Sequence, residues 1–474
     1  MRLPARTPVY AVRLVVGLVP LSAAWIATVS GQQVPVNPTV PTPVPSVHGH
    51  IVKFQNPLPA PAAAPVQKEA DKNGNGNIVE NKYPESGPEL TLGECIAVAL
   101  ERQPSLKAVK ESTAATEAGY RALTNFGTAS TFLSPDLEIR KQQAKRGLMA
   151  TAAEYQKLHN EVVQDVTRLY YTAVYAKQQQ ELAENVVLRL DFFVEVGKGI
   201  LNDEKIDTKG LEGFNTLKLR MMQNGLLEAK KLHATAMVGR QKALSGLREV
   251  MGVDARTFPF QVKDTALPVM KQAVPITRDR VVDLALERRP ELVLASAGVD
   301  AFRLEVYAQG RIPFKRVAPT LAQGADLHSK EIPQASRGTE YRPGGILPEM
   351  PPQLVGSKYD RVCRAMAFAQ RAEALYEKAR NLIIADAETT FYDFDLASDK
   401  LTLSKQQFDL SVDLQKRVRD SADNIKAKDQ LVQAEVIAAK AQSDYVQAVH
   451  EYLLALAALE RVTAGGIRPT FPGR

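Results

Sequence analysis

The stretch that decides the fold reads Ala99-Leu100-Glu101-Arg102-Gln103-Pro104-Ser105-Leu106, and it returns almost unchanged as Ala285-Leu286-Glu287-Arg288-Arg289-Pro290-Glu291-Leu292. A second pair of matching phrases closes each half, at residues 247–252 and 459–465. Between these marks, each half is dominated by proline-poor sequence that is rich in Ala, Leu, Gln and Lys. Self-similarity of this kind marks a repeated structural unit. The chain is therefore an internal duplication of one helical unit.

Each half predicts two short helices followed by a long antiparallel helical hairpin. In the first half, the short helices are expected to end near Arg102 and to run over 105–123, with Thr91 and Glu94 forming a capping box. The long helices are predicted at 138–200 and 211–251. Their apolar positions recur every three or four residues, as in a coiled coil. The seam on the first long helix consists of Val162, Val166, Leu169, Ala173, Ala176, Leu182, Val186 and Leu190.

The second half repeats this plan, with long helices predicted at 359–419 and 431–462. The stripe on the first of them is Val362, Met366, Ala369, Ala372, Leu375, Ala379 and Leu382. The last helix is expected to pack closely through its small residues Ala434, Ala438, Ala441, Ala448 and Ala455. The predicted fold class is therefore mainly α, with two duplicated long antiparallel hairpins.

The domain plan follows from proline content and from the two copies of the repeat. We expect a signal peptide at 1–31, a disordered linker rich in proline and alanine at 32–88, a first repeat at 89–252, a joint at 253–275, a second repeat at 276–466 and a tail at 467–474. The basic residues Arg2, Arg6 and Arg13 precede a short apolar run, which favours a cleaved signal over a membrane anchor.

Composition argues against an enzyme and against nucleic-acid binding. The 474 residues carry a net charge of +7, but Lys and Arg are interspersed with Asp and Glu along the predicted helices. Such charges are typical of solvated helix faces. The sequence contains no Gly-rich phosphate loop, HExxH or CxxC motif. Residues 71–82 imitate a calcium loop but place Lys82 where a bidentate acid is needed. We therefore predict no catalytic residues, no cofactor and no metal site.

Two cysteines, Cys95 and Cys363, fall in the predicted helices of opposite halves. They could pair in an oxidising compartment or remain free, and two cysteines alone do not decide between these states. The unpaired state is favoured.

Residues 90–106 follow the pattern Leu-Thr-Leu-x-Glu-x-Ile-x-x-Ala-Leu-x-x-x-Pro-x-Leu, and this pattern resembles the outer-membrane efflux (TolC) family. A second copy of the phrase at 282–292 and the ending at 445–461 resemble that family too. The resemblance covers about residues 89–466. It implies a homotrimer in the cell outer membrane, with a coiled-coil α-barrel in the periplasm and a few β-strands per chain for a shared barrel. It also implies a periplasmic adaptor and an inner-membrane pump as partners.

The resemblance places the strand regions near 124–137 and 312–357. The first gap hardly has room for two membrane-spanning strands of about ten residues each, and prolines interrupt the second. We therefore expect a divergent member of the family, with poorly formed strand segments.

The resemblance also implies that the hairpin tips, near 197–210 and 420–428, dock an adaptor and take part in gating. The candidate tip residues are Gly197, Gly199, Ile200, Asp203, Asp207, Asp420, Asp423, Asn424, Lys426 and Asp429. The alternative for each charged residue among them is a solvated turn. Gln430 and Gln433 stand where some family members carry gate aspartates.

The sequence thus predicts a passive exit duct for small molecules or exported substrates. The main alternative is a non-conducting coiled-coil protein of the envelope, derived from the same family. A periplasmic adaptor is a weaker third option, because adaptors usually carry one hairpin between β-rich domains.

Overall fold

The computed structural model describes residues 87–125, 135–202, 216–270, 275–312, 354, 356–420 and 426–474, without the side chains of 200–202, 218 and 426–432. In these residues the elements are β1 (Glu89–Leu90), α1 (Leu92–Arg102), α2 (Pro104–Thr124), α3 (Leu137–Asn202), α4 (Thr216–Met251), β2 (Gln261–Val262), α5 (Arg278–Arg288), α6 (Pro290–Arg311), α7 (Lys358–Asp420) and α8 (Lys426–Val462). The predicted mainly α class is confirmed.

The duplication is visible helix by helix. The first four helices have 11, 21, 66 and 36 residues, and their counterparts in the second half have 11, 22, 63 and 37. In each half the long helix packs on the second short helix and on the return helix. Each half is therefore a long antiparallel helical hairpin with a shorter helix packed on its first long helix. The two halves share this plan.

Helix starts in the first half follow local chemistry. The predicted capping box is confirmed: the Thr91 hydroxyl accepts from the Glu94 N–H at 3.3 Å, and the Glu94 carboxylate accepts from the Thr91 N–H at 2.8 Å. Pro104 is the first residue of α2, one residue earlier than predicted. A proline is tolerated there because its missing N–H would have no partner in the first helical turn.

Two of the long helices extend further than the sequence predicts. The first was predicted to end by residue 200, with the hairpin tip starting near Gly197, but α3 continues through Gly197 and Gly199 to Asn202. The return helix α8 begins at Lys426, not near 431. The connection between α3 and α4 is longer than that between α7 and α8.

The core lies where the helices of both halves meet, and its largest cluster draws residues from α1, α3, α4, α5, α7 and α8. The five alanines predicted on α8 are all buried, as are Ala369, Ala372 and Ala379 on α7. Met366 is a wrong prediction, because its side chain is exposed while Ala365 beside it is fully buried. The buried stripe of α7 therefore runs one residue away from the predicted one at this level.

The joint between the repeats is built into the fold. Its strand β2 pairs in parallel with β1, in the register Glu89 with Gln261 and Leu90 with Val262. The tail also returns to the first half, since the Gly473 carbonyl accepts from the Gly93 N–H at 2.8 Å. Buried Phe471 lies 5.6 Å from the ring of Tyr171 on α3. Both ends of the described chain are thereby held against the helical body.

The candidate strand regions lie largely outside the described residues, as do the signal and linker up to residue 86. Among the helices that are described, none has an apolar stretch long enough to cross a bilayer. Cys95 is buried and Cys363 is exposed, and both thiols are free. Burial raises the pKa of Cys95 to about 12.

Candidate functional site

The structure describes some of the candidate tip residues, and these lie at the ends of the long helices. Gly197 is buried in the last turns of α3, and nothing lies within 4 Å of the position that a Cβ on Gly199 would take. Asp420 is the exposed last residue of α7. Ile200 lies in the last turn of α3, and Lys426 and Asp429 lie in the first turn of α8; all three are described by their backbone only. Asp203, Asp207, Asp423 and Asn424 lie outside the described residues.

Just inside these ends, one carboxylate joins the two hairpins. Glu435 on α8 accepts from Arg189 on α3 at 2.6 Å and from Arg419 on α7 at 3.0 Å. The Glu435 side chain is 12% exposed, whereas both arginines are more than half exposed. Burial alone would raise the pKa of Glu435, but the hydrogen bonds from Arg189 and Arg419 outweigh it, and the pKa is lowered. We call this group the interhairpin latch.

Above the latch, α3 and α8 form a polar seam between the halves. The Gln179 side chain accepts from the Ser443 hydroxyl at 2.8 Å and donates to the Ser443 carbonyl at 3.2 Å. Further up, the ring of His450 stacks on Tyr175, with centroids 4.5 Å apart, and its Nε2 lies 3.2 Å from the Thr172 hydroxyl. The seam is therefore specified by hydrogen bonds and ring stacking as well as by apolar packing.

His450 is neutral in this seam. Burial lowers the pKa of His450 to about 4, although the nearby Glu451 carboxylate works in the opposite direction. The stacked partner Tyr175 is buried as well, and burial raises its pKa, as do the charges of Glu451 and Asp444. A protonated His450 would carry a charge that is removed from water, so burial in the seam favours the neutral imidazole.

At the other end of the body, a buried network surrounds Glu305 of α6. Its carboxylate accepts from both terminal nitrogens of Arg140 on α3 and from the Gln143 amide at 2.9 Å. It also accepts from Gln309, whose oxygen in turn accepts from fully buried Arg361 at 2.9 Å. The remaining guanidinium nitrogens of Arg361 donate to the carbonyls of residues 312 and 356. The network fixes the points where the chain leaves α6 and enters α7.

A third network seals the second proline joint. Arg289, between α5 and α6, is 3% exposed and donates to Glu291 at 2.8 Å and to Asp386 of α7 at 2.6 Å. Asp386 also contacts Arg461 near the end of α8 at 3.3 Å. Burial alone would lower the pKa of Arg289, but the two carboxylates raise it. Four side chains, from the proline joint, the middle of α7 and the end of α8, therefore meet in one ion cluster.

These groups were missed because sequence reasoning searched the tips and treated the helix charges as solvated. Glu435 could have been noticed, since it lies directly beside Ala434 on the buried face of α8. His233 on α4 is also buried, at 2% exposed, and its Nδ1 has no hydrogen-bond partner. In the part of the chain that the structure describes, no group of three or more His, Cys, Asp or Glu could hold a metal ion. The site is thus a set of structural joints and seams.

No protein-family model matches the sequence, and a search of curated proteins finds no match. Several solved structures do match. The outer-membrane channel OprN is 14% identical with a TM-score of 0.60, over 83% of this chain and 96% of that one. The open MtrE outer-membrane channel of Neisseria gonorrhoeae is 15% identical with a TM-score of 0.59, over 82% and 95%. The CmeC outer-membrane channel of Campylobacter jejuni is 13% identical with a TM-score of 0.53, over 86% and 96%.

These likenesses span almost the whole length of each channel. At such low identity they establish the fold. The protein has the fold of the outer-membrane channels, so the resemblance of its sequence to the outer-membrane efflux (TolC) family is confirmed at the level of the fold.

Proposed function

We propose that the protein is the exit duct of a tripartite export system, set in the outer membrane with its helical body in the periplasm. The observation that carries this proposal is the extent of the likeness, because this chain matches 95–96% of the length of OprN, MtrE and CmeC. In this proposal the chain forms a homotrimer, performs no catalysis and conducts small molecules or exported substrates passively.

The hairpin ends are the proposed site of contact with a periplasmic adaptor and, through it, an inner-membrane pump. A duct without chemistry can select its cargo only by width and by the charges that line it. Asp203, Asp207, Asp420, Asp423 and Asp429 would supply negative charge at this end, with Lys426 among them. These five aspartates would favour the passage of cations over that of anions.

The interhairpin latch is the proposed gate contact. Opening the duct at the hairpin ends requires the two hairpins to move apart, and Glu435 bonds both α3 and α7 at that level. Because the two arginines are largely exposed, the latch contributes little to stability, on the order of 1 kcal/mol. A weak contact suits a gate, since an adaptor can replace it with contacts of similar energy.

Recording in planar bilayers tests the duct. The purified wild-type protein should migrate as a detergent-extracted trimer and open discrete channels. Glu435→Gln keeps the shape of the side chain and removes its charge, so we expect longer open times than in the wild type. The exposed Glu181→Gln on α3 is the matched control and should leave open times unchanged. A detergent-independent monomer without channel activity would refute the duct.

One observation favours a non-conducting envelope protein as the second candidate. α2 ends at Thr124 and α3 begins at Leu137. Leu123 and Leu137, near these ends, belong to one small apolar cluster with Ala144. Two membrane-spanning strands would need about 9–11 residues each. Membrane fractionation separates the candidates: a protein released by salt without detergent would favour the second.

A further inference from the structure

A polar groove lies between α6 and α7, about ten helical turns along α7 from the latch residue Arg419. The groove encloses about 650 Å³, which is within the range of small-molecule sites in proteins. Buried Val299 and half-buried Tyr376 form its apolar part. Most of the remaining lining is charged, so the groove differs in character from the apolar seams that join the helices.

Two ion pairs fix the rim of this groove. Glu373 of α7 accepts from Nε and Nη2 of Arg303 on α6, at 2.9 Å and 2.8 Å. Asp300 of α6 pairs with Arg146 of α3 at 3.2 Å. Because both pairs are partly exposed, they contribute little to stability. Their consequence is local: the rim side chains are oriented and their charges are already matched.

Three further side chains of α7 line the groove without such partners. Glu377, Arg380 and Asn381 are exposed, and none of them makes a hydrogen bond or an ion pair with another described residue. At 100° per residue, they stand with Tyr376 within about 140° of the helix circumference. Asparagine is also a poor helix former, so helix stability does not explain Asn381. The groove thus offers an acceptor, a donor and an amide that does both, beside an aromatic ring.

This combination of groups favours a neutral ligand that is rich in hydroxyl and amide groups. An anion would be repelled by the carboxylates of Asp300, Glu373 and Glu377, and a cation by the guanidinium of Arg380. An apolar ligand would remove these charges from water without replacing their hydrogen bonds. A sugar ring supplies hydroxyls that donate and accept, and its C–H face can pack on an aromatic ring. An acetamido group adds an N–H for Glu377 and a carbonyl for Arg380.

We infer that the groove between α6 and α7 binds a neutral sugar chain that carries acetamido groups. Tyr376 packs against a sugar ring, Arg380 and Glu377 bond the acetamido group, and Asn381 bonds a hydroxyl. This site goes beyond the proposed duct, because it requires neither conduction nor a particular number of copies. It would tether the helical body to a glycan.

The first half supplies a matched control. When α3 and α7 are aligned by their repeat, Asn160 is the counterpart of Asn381, and Ala152 is the counterpart of Glu373. The first half therefore lacks the carboxylate that pairs across the rim. Asn160→Ala makes the same exchange as Asn381→Ala, in the equivalent turn of a long helix and outside the groove.

Calorimetric titration of the purified full chain with chitotetraose, a tetramer of N-acetylglucosamine, tests the site. We expect saturable binding to the wild type. Arg380→Ala and Asn381→Ala each remove hydrogen bonds to the sugar and should lower its affinity on the order of fivefold. Asn160→Ala should bind as the wild type does. Because the ligand is neutral, its affinities at low and at high salt should agree within about twofold.

A second pair of variants tests the aromatic ring. Tyr376→Phe keeps the ring and should retain most of the affinity, whereas Tyr376→Leu should weaken binding about as much as Arg380→Ala does. Circular dichroism checks that each variant keeps its helical fold. Wild-type affinity in Tyr376→Leu would show that no sugar packs there and would overturn the inference.

The other outcomes are equally decisive. Absence of saturable binding at millimolar chitotetraose would overturn the site, and so would equal losses from Asn160→Ala and Asn381→Ala. A steep fall of affinity with salt would indicate a site driven by charge, as for a charged peptide, and would overturn the assignment to a sugar. None of these readouts requires conduction, so a protein that binds the sugar and opens no channel would refute the duct and leave the site standing.

Discussion

The two proline joints of the duplication have the same geometry and different chemistry. In the first, Gln103 and Ser105 flank Pro104, and Arg102 lies over the ring of Phe258 at 5.1 Å. In the second, Arg289 and Glu291 flank Pro290 and form a buried ion cluster with Asp386. Both joints connect an 11-residue helix to a longer one. Proline at the first helical position and apolar periodicity therefore suffice to shape the joint. The side-chain contacts around the joint differ between the two halves.

Of the variants that test this comparison, Arg289→Ala should lower the free energy of unfolding most. Arg289→Ala leaves Glu291 and Asp386 buried without their main partner, and breaking a buried ion cluster from one side costs about 3–5 kcal/mol. We expect the urea midpoint of the purified protein to fall accordingly. The matched variant Gln103→Ala removes a neutral, half-buried side chain and should cost less than about 1 kcal/mol. Similar losses in the two variants would mean that the ion cluster contributes nothing beyond packing.

The two helix-ending glycines make the next comparison. Gly252 and Gly465 both have positive φ, +65° and +74°. A Cβ on Gly252 would lie 2.8 Å from the Arg102 carbonyl, whereas one on Gly465 would meet only the flexible end of Arg468 at 3.3 Å. The left-handed backbone costs an L-residue about 1–2 kcal/mol. Gly465→Ala should therefore lose about that much.

Gly252→Ala should lose more than about 2 kcal/mol, because the backbone of α1 must also move aside. Thermal unfolding followed by circular dichroism measures both variants. Equal thermal midpoints for the two variants would show that the Arg102 carbonyl does not stay close to Gly252 in solution.

His450 lies in the seam between α3 and α8, whereas the equivalent position of the first half, counted from Leu247 as the counterpart of Leu459, is the exposed Val238. The two positions should differ in their response to pH. The unfolded chain protonates His450 near its ordinary pKa of 6.5, whereas the folded chain does so only at about 4. Stability should therefore be full above about pH 6.5 and fall as the pH drops toward 4. Linkage gives a loss of about 2 kcal/mol between pH 7 and pH 5.

His450→Val places the residue of the first half in the second and should abolish this part of the pH dependence. Urea midpoints at pH 7 and pH 5 measure it, and Thr172→Val, which removes the neighbouring hydroxyl, should retain the pH dependence. If His450→Val loses as much stability on acidification as the wild type, another group is responsible.

Much of the fold was accessible from sequence because it rests on local patterns. The capping box at Thr91, the proline joint at Pro104 and the alanines of α8 each follow from residue type and spacing. The end of α3 was mispredicted because glycine costs a helix only about 1 kcal/mol. That cost is readily offset where the helix packs tightly, and Gly197 is buried.

The site was less accessible, because its contacts join residues that are distant in sequence. The latch requires that Glu435 of α8 lie beside Arg189 of α3, and the sequence of neither helix alone predicts that contact. Met366 illustrates the same limit for packing: the three-four spacing allows Val362–Met366 or Ala365–Ala369 as the buried line, and only the neighbouring helices decide between them. Duplication supplies the missing information in part, since a contact in one half predicts its equivalent in the other.

The smallest expected effect separates the starts of the two repeats. Thr91 caps α1 within a reciprocal box with Glu94, whereas Thr277 caps α5 alone, with its hydroxyl 3.4 Å from the N–H of Arg280. Thr91→Ala should cost about 1–2 kcal/mol and Thr277→Ala about 0.5–1 kcal/mol, both measured by urea unfolding. Arg280→Glu should recreate the box in the second half and raise the urea midpoint slightly, because an acid also suits the positive end of a helix. If Arg280→Glu instead lowers the midpoint, Arg280 makes a contact that outweighs the cap, and the two starts have diverged by selection for that contact.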